Sequence, residues 1–384
     1  MDPMQDFLEK YFRDENGIIY SQIDRFRLCP VDENTFAGAV TPSWYPEGMT
    51  LGDFWSYENC GMTTGGYLST LCCKLSGDLP EQEKAFYRSS AQRTFRALCH
   101  IYRIGSQWEE GFFPKIWGNQ FSRQTSTDQY LYAMFGMDQY YPFASEEERT
   151  SIRKMICNMA QFWRKRKYTL TYYHVKDMVW PPLRFPPLLL LAYKYCREKC
   201  LKEEALQILT ENIHRIPENS RRRSGRLYHL ADAVTMDVMD MILMLESGVL
   251  SPEYRQIMLQ GMKSIWFEAV QTLTPDGFYY SSMPCDPESG KVLPGTEEQY
   301  GARSSWSSMV VRAGLQIIPY LPELTGEAVA HARNVLEKLT PETLYYYHEA
   351  DVLKLEENNR YQTRFSSGDA IVHYLWTKAL LENL

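Results

Sequence analysis

Five times in this chain an arginine stands a few residues ahead of a strongly apolar stretch of helical length. A chain that keeps repeating such a start has few folds open to it. Three starts share one pattern: Arg123-Gln124-Thr125-Ser126-Thr127-Asp128 precedes Tyr130 to Tyr141, Arg303-Ser304-Ser305-Trp306-Ser307-Ser308 precedes Met309 to Ile318, and Arg364-Phe365-Ser366-Ser367-Gly368-Asp369 precedes Ala370 to Leu381. Looser versions stand at Arg184-Phe185-Pro186-Pro187 and Arg226-Leu227-Tyr228-His229. Polar starts on apolar helices at recurring intervals read as one supersecondary unit used several times. Their first duty is capping, because Ser, Thr and Asp side chains accept from the free backbone N–H groups of a helix end.

Between these stretches run one-sided helices. Ile152, Met155, Ile156, Met159, Phe162 and Trp163 form one stripe, with Glu147, Glu148, Arg153, Lys154 and Arg164 on the other face, the pattern of a helix buried on one side. Similar helices are predicted over about 81–103, 200–215, 251–272 and 325–339, and another over about 3–14. Helices apolar on nearly all faces are predicted to start near 60, 126, 186, 227, 304 and 366. Inner and outer helices therefore alternate, and the N-terminal helix can pack beside the C-terminal inner one as the sixth outer partner. The expected fold is all-α: an (α/α)6 toroid of six helical hairpins, with residues 1–384 forming a single domain.

Loop lengths are lopsided. Links from inner to outer helices are short, as at Ser76 to Pro80 and Pro142 to Ser145, whereas the return links at about 15–57, 104–125, 168–185, 273–303 and 341–364 are long. Long loops in compact domains usually carry function. All of these lead into inner helices, so a cavity is expected on that face, with short β-hairpins in its loops at Gly277-Phe278-Tyr279-Tyr280 and Leu344-Tyr345-Tyr346-Tyr347.

Composition excludes several classes of function. A net charge of -7, with Arg221-Arg222-Arg223 as the one basic run, lacks the basic stripe of a nucleic-acid surface. No apolar run approaches the ~20 residues that span a bilayer. Nine cysteines without tight paired spacing, and a start without a signal-peptide profile, indicate reduced thiols and a soluble cytoplasmic protein. Cys99-His100, the one adjacent Cys/His pair, falls on an outer helix, so no metal or other cofactor is expected. The sequence does not set the oligomeric state.

Carboxylates and aromatics fit the open face. Asp128 and Asp369 stand at equal offsets behind Arg123 and Arg364, Asp232 lies in the first turns of the fourth inner helix, and Glu298 lies in the loop before Arg303, with Glu58 similarly placed before the first inner helix. Glycoside hydrolysis needs one carboxyl as general acid and a second as base or nucleophile, which makes Asp128, Asp232, Glu298 and Asp369 the catalytic candidates. Asp128 is the expected acid or acid/base, with Asp232, Glu298 or Asp369 as its partner. Trp117, Trp180, Trp306 and Tyr361 are candidate stacking platforms for sugar rings, and Gln129 and His229 are further candidates for substrate contact. Arg123, Arg303 and Arg364 would suit an acidic sugar, since guanidinium forks pair with carboxylates and sulfates. Ser308, at the same offset behind Arg303, shows that the pattern also works as a cap alone.

Glu109-Glu110-Gly111-Phe112-Phe113-Pro114 followed by Ser126-Thr127-Asp128-Gln129-Tyr130 resembles an acidic-Gly-x-x-Pro turn leading to an Asp-bearing inner helix, and Asp276-Gly277-Phe278 and Ser367-Gly368-Asp369 extend the likeness. In this the chain resembles the six-hairpin glycosidase superfamily, which includes glucoamylases and unsaturated glucuronyl hydrolases. The resemblance implies hydrolysis of a glycosidic bond in an oligosaccharide substrate, with inversion, or hydration of an unsaturated uronyl double bond through an aspartate. Two other readings stay open: a lyase using His174, His229 or Tyr300 as base, and a glycan-binding toroid without catalysis.

Overall fold

The computed structural model describes residues 2–32, 50–117, 120–173, 175–216, 233–270, 302–339 and 365–384, together with short strands at 227–229, 279–280 and 282–284. The chain forms two compact units, one from Met1–Pro181 with Thr340–Asn383 and one from Pro182–Leu339. The first contains α1 (Pro3–Tyr11), α2 (Leu51–Tyr57), α3 (Cys60–Ser76), α4 (Glu81–Ser106), α5 (Thr127–Tyr140) and α6 (Glu146–Lys165). The second contains α7 (Phe185–Cys196), α8 (Lys199–Asn212), α9 (Val238–Glu246), α10 (Pro252–Val270), α11 (Ser304–Ile317) and α12 (Thr325–Lys338). The chain then returns to the first unit with α13 (Gly368–Glu382).

Inner and outer helices follow the expected periodicity. In α3, α5 and α13 nearly every residue is buried, whereas α4 and α6 bury one stripe each. The start of α6 shows how locally the sequence sets these bounds. Ser145 Oγ accepts from Glu148 N at 3.3 Å and Glu148 Oε2 accepts from Ser145 N at 2.9 Å, a capping box that satisfies two otherwise free N–H groups. The N-terminal helix does pack beside α13, and the Lys378 ammonium pairs with Asp2.

The fourth inner helix departs from expectation. Leu227–His229, expected to open a helix, is a strand paired with Ser282–Pro284, and a π-helical turn at Ala233–Asp237 leads into α9. The physical reason lies in Arg184, buried at the start of α7. Its guanidinium pairs with Asp237 at 2.6 Å and with Asp240, so the carboxylates of this segment answer a charge from the neighbouring inner helix. Of the two loop strands expected, Tyr279–Tyr280 pairs with Ala302–Arg303, while 344–347 lies outside the described residues.

In the first unit α3 lies between α5 and α13. A Cβ added at Gly65 would stand 2.4 Å from the Tyr132 carbonyl oxygen, and one added at Gly66 would meet Val372 Cγ1 at 3.2 Å. The backbones of α3 and α5 are thus nearly in contact, which only a residue without a side chain allows. Gly65→Ala is expected to lower the stability of the full chain by about 2–3 kcal/mol, since backbone cannot yield as a flexible side chain would. Denaturant unfolding monitored by circular dichroism measures this, and an unchanged midpoint would show that the two helices can separate at no cost.

Candidate active site

The helix N-termini of the first unit converge with its loops on a polar cluster. Asn59 is the residue before α3, Asp128 lies in the first turn of α5 and Asp369 in the first turn of α13. Strand Gln22–Asp24 holds the start of α13 by pairing with Phe365–Ser367, and Gly368 N donates to Ser21 O at 2.8 Å. A Cβ at Gly368 would lie 2.1 Å from Tyr20 O, so the glycine before Asp369 is a condition of this approach. Ser367 Oγ caps the helix by accepting from Ala370 N at 3.1 Å.

Asp369 is buried. Asn59 Nδ2 donates to its Oδ2 at 3.1 Å, and Thr63 Oγ1 is bonded to its Oδ1. Burial pushes this carboxyl up to about 7; the hydrogen bonds from Thr63 and Asn59 oppose the shift, and the negative charges of Glu58 and Asp128 add to it. Hydrogen counting points the same way. Thr63 Oγ1 has one hydrogen and lies 2.9 Å from Asn59 O, an obligate acceptor, as well as against Asp369. A proton on Asp369, given to Thr63 Oγ1, makes hydrogen bonds of both contacts.

Asp128 is half-buried. Its Oδ2 accepts from Gln129 Nε2 at 3.4 Å, and its Oδ1 is enclosed without a hydrogen-bond partner among the described residues. Gln129 itself is fully buried, and its Oε1 accepts from Met62 N at 3.0 Å. It therefore ties the first turn of α3 to Asp128.

Lys115 completes the cluster. It sits in Phe113-Pro114-Lys115-Ile116 at the start of the 116–121 hairpin, 2% exposed, and its ammonium pairs with Glu58. Lys115 Nζ also lies 5.7 Å from the Tyr172 ring centre and 5.8 Å from that of Tyr173, while Tyr173 Oη donates to Glu58 Oε1 at 3.1 Å. Burial works against the ammonium, but the Glu58 charge, followed by Tyr172, Tyr173 and Asp128, outweighs it and holds the lysine pKa well above its ordinary value. Burial pushes Tyr172 up to about 12 and raises Tyr173 as well, which leaves both phenols protonated. Gln124 braces the arrangement: its carbonyl accepts from Lys115 N at 2.7 Å and its Oε1 from Tyr173 N at 2.8 Å.

The structure thus brings Asp128 and Asp369 into one electrostatic cluster and adds Glu58, Lys115, Tyr172 and Tyr173. Trp180 packs edge-on against Trp163 and Tyr172, at ring separations of 6.0 and 5.3 Å, and Arg123 is exposed above the Trp108 ring at 5.5 Å. Asp232, Glu298, Tyr361 and Arg364 lie outside the described residues, as do His174 and Tyr300; Trp117, His229, Arg303 and Trp306 have described backbones only. Lys115 was readable as an anomaly, a lone cation inside an aromatic run, but no local pattern points from it to Glu58. Among the described residues no group of three or more His, Cys, Asp or Glu could hold a metal ion, and no helix is long and apolar enough to cross a membrane.

No protein-family profile matches the sequence, and no curated protein matches it. Solved structures do. Cellobiose 2-epimerase from Bacillus thermoamylovorans aligns with a TM-score of 0.60 at 13% identity, covering 98% of this chain and 94% of that one. An unsaturated glucuronyl hydrolase specific for heparin aligns at 0.53 and 13% identity over 90% of this chain and 91% of its own. A possible member of the GH105 family from Salmonella enterica aligns at 0.51 and 11% identity, covering 99% and 89%. Alignment over nearly whole chains at such low identity is a statement about architecture: this chain has the six-hairpin, (α/α)6 toroid fold.

Proposed function

We propose that the protein hydrolyses a glycosidic bond in an oligosaccharide, with Asp369 as general acid and Asp128 as general base. The observation that carries this is a pair of inner-helix carboxyls in one cluster whose surroundings separate their roles: Asp369 is buried and holds its proton to about pH 7 beside the negative charge of Asp128. Divergent protonation of two neighbouring carboxyls is how acid and base duties are divided at neutral pH. In the step, the bond from the anomeric carbon to the leaving oxygen breaks and the Asp369 proton moves to that oxygen. Water adds to the carbon from the other side, and its proton passes to the unbonded Oδ1 of Asp128. Lys115 pairs with Glu58, and the Glu58 charge acts together with burial and Asp128 to raise Asp369. The raised pKa values of Tyr172 and Tyr173 speak against either phenol as a tyrosinate base.

Asp128→Asn and Asp369→Asn are each expected to lower kcat by about 10²–10⁴ with little change in KM, assayed on aryl glycosides and unsaturated oligosaccharides. Wild-type kcat should fall as pH rises through about 7, where Asp369 loses its proton. Unchanged turnover in both variants would remove the assignment.

The same burial makes a stability prediction. The Asp369 pKa is raised from 3.8 to about 7, so the stability associated with its folded-state proton is present in full below pH 4 and is lost as pH rises to about 7. The loss is on the order of 3–4 kcal/mol. Asparagine offers a carbonyl to Asn59 and an amide donor to Thr63, and Asp369→Asn should therefore be more stable than wild type at pH 8 and nearly equal to it at pH 4. Urea unfolding at the two pH values decides this; lower stability of the variant at pH 8 would mean that the carboxylate is not strained by burial.

Lys115→Met leaves the largely buried Glu58 carboxylate without its cation and is expected to cost about 3 kcal/mol. Adding Glu58→Gln should recover most of that loss. A double variant no more stable than Lys115→Met would show that the pair does not interact as described.

A further inference from the structure

The cluster leaves one feature of the first unit unused. A cleft of about 430 Å³ opens beside it, lined by Trp108, Arg123, Gln124, Arg166, Thr171 and Asp177 among others, within the size range of ligand sites. Its two cations are held differently. Arg166 lies 5.0 Å from the Trp108 ring centre and donates through Nε to Glu109 Oε2 at 3.1 Å, with a second bond from Nη2. Arg123 lies 5.5 Å over the same indole, is exposed, and has no carboxylate partner among the described residues. Stacking occupies the face of a guanidinium and leaves the N–H donors along its edge free for an oxyanion. It also restricts the side chain in advance, which lowers the ordering cost of binding. The charged side chains of the lining are Arg123, Arg166, which is paired with Glu109, and Asp177.

Position gives the stacked Arg123 a meaning. Gln124 lines the cleft and also holds Lys115 and Tyr173 at the carboxyl cluster. The hairpin of strands Thr169–Tyr172 and Val175–Val179 contributes Thr171 and Asp177 to the cleft and carries Tyr172 and Tyr173 toward the Lys115–Glu58 pair. Gln124 and this hairpin therefore adjoin both the cleft and the cluster.

We propose that the cleft over Trp108 is an outer subsite for an anionic sugar unit, whose carboxylate or sulfate is held by the Arg123 and Arg166 guanidinium groups. The assignment rests on the glycosidase reading for the direction of the bound chain, but its test is binding alone. The full chain carrying Asp369→Asn is titrated by calorimetry with a uronate tetrasaccharide, its carboxyl-reduced counterpart, and the counterpart bearing sulfate. The uronate or the sulfated form should bind about tenfold more tightly than the neutral form, the gain expected of one charge-assisted hydrogen-bonded pair. Whichever anion gains identifies the group recognised, and added salt should remove that gain and spare neutral binding. Arg123→Gln, at an exposed position where folding is not in question, should abolish the discrimination while leaving affinity for the neutral sugar in place. Equal affinity for all three sugars, or discrimination that survives Arg123→Gln, overturns the subsite. Unchanged turnover in Asp128→Asn and Asp369→Asn would remove the catalytic assignment and leave the discrimination standing, so the two readings fail separately.

Discussion

The near-contact between α3 and its inner neighbours is the constraint from which the rest of the first unit follows. Gly65 lets the α5 backbone approach, and Gly66 accepts Val372 of α13 and the Tyr132 ring of α5. With α3 held between them, the starts of α5 and α13 fall beside the start of α3, and each start carries polar side chains because a helix N-terminus needs them. Asn59, Asp128 and Asp369 are together because three helices pack closely. The Asn59 to Asp369 hydrogen bond forms within that packing.

Electrostatics makes that proximity costly and useful. Burial raises Asp369, and Glu58 and Asp128 raise it further. Lys115 is the one cation of the cluster among the described residues, and it is engaged with Glu58. Replacing either member of such a pair alone leaves a buried charge uncompensated, a larger penalty than the pair's own net contribution. The pair therefore acts as a fixed electrostatic frame. It occupies Glu58 and is walled by Tyr172 and Tyr173.

Helix order was legible because periodicity is a local property. The outer stripe Ile152 to Trp163 and the alternation of inner and outer segments reappear almost residue for residue in α6 and its neighbours. The fourth inner helix was misread because Leu227-Tyr228-His229 is as apolar as a helix start, and only its pairing with Ser282–Pro284 and the Arg184 link to Asp237 and Asp240 decide its form. Those partners are 53 or more positions away in the chain, beyond the reach of any local pattern. Asp128 and Asp369 were visible through their equal offsets, but Lys115 and Glu58, 57 positions apart, had no offset to share. Gln129 shows a different limit: a polar residue beside a candidate acid looked like a substrate contact, whereas its amide joins α3 to Asp128.

The recurring arginine has more than one function, and the difference follows from what surrounds each copy. Arg184 has two aspartates from the next inner segment within reach, so it is buried and its guanidinium bridges helix ends. At Arg123 the neighbouring side chain is Trp108, an apolar ring with a negative face, which orients a guanidinium without neutralising it. At Arg123 a residue that stands ahead of an inner helix thus presents its charge to solvent beside an aromatic ring. Binding specificity can arise at such a position without altering the helices, because the arginine lies ahead of α5 and its exposed fork contributes nothing to the packing that holds α3, α5 and α13 together.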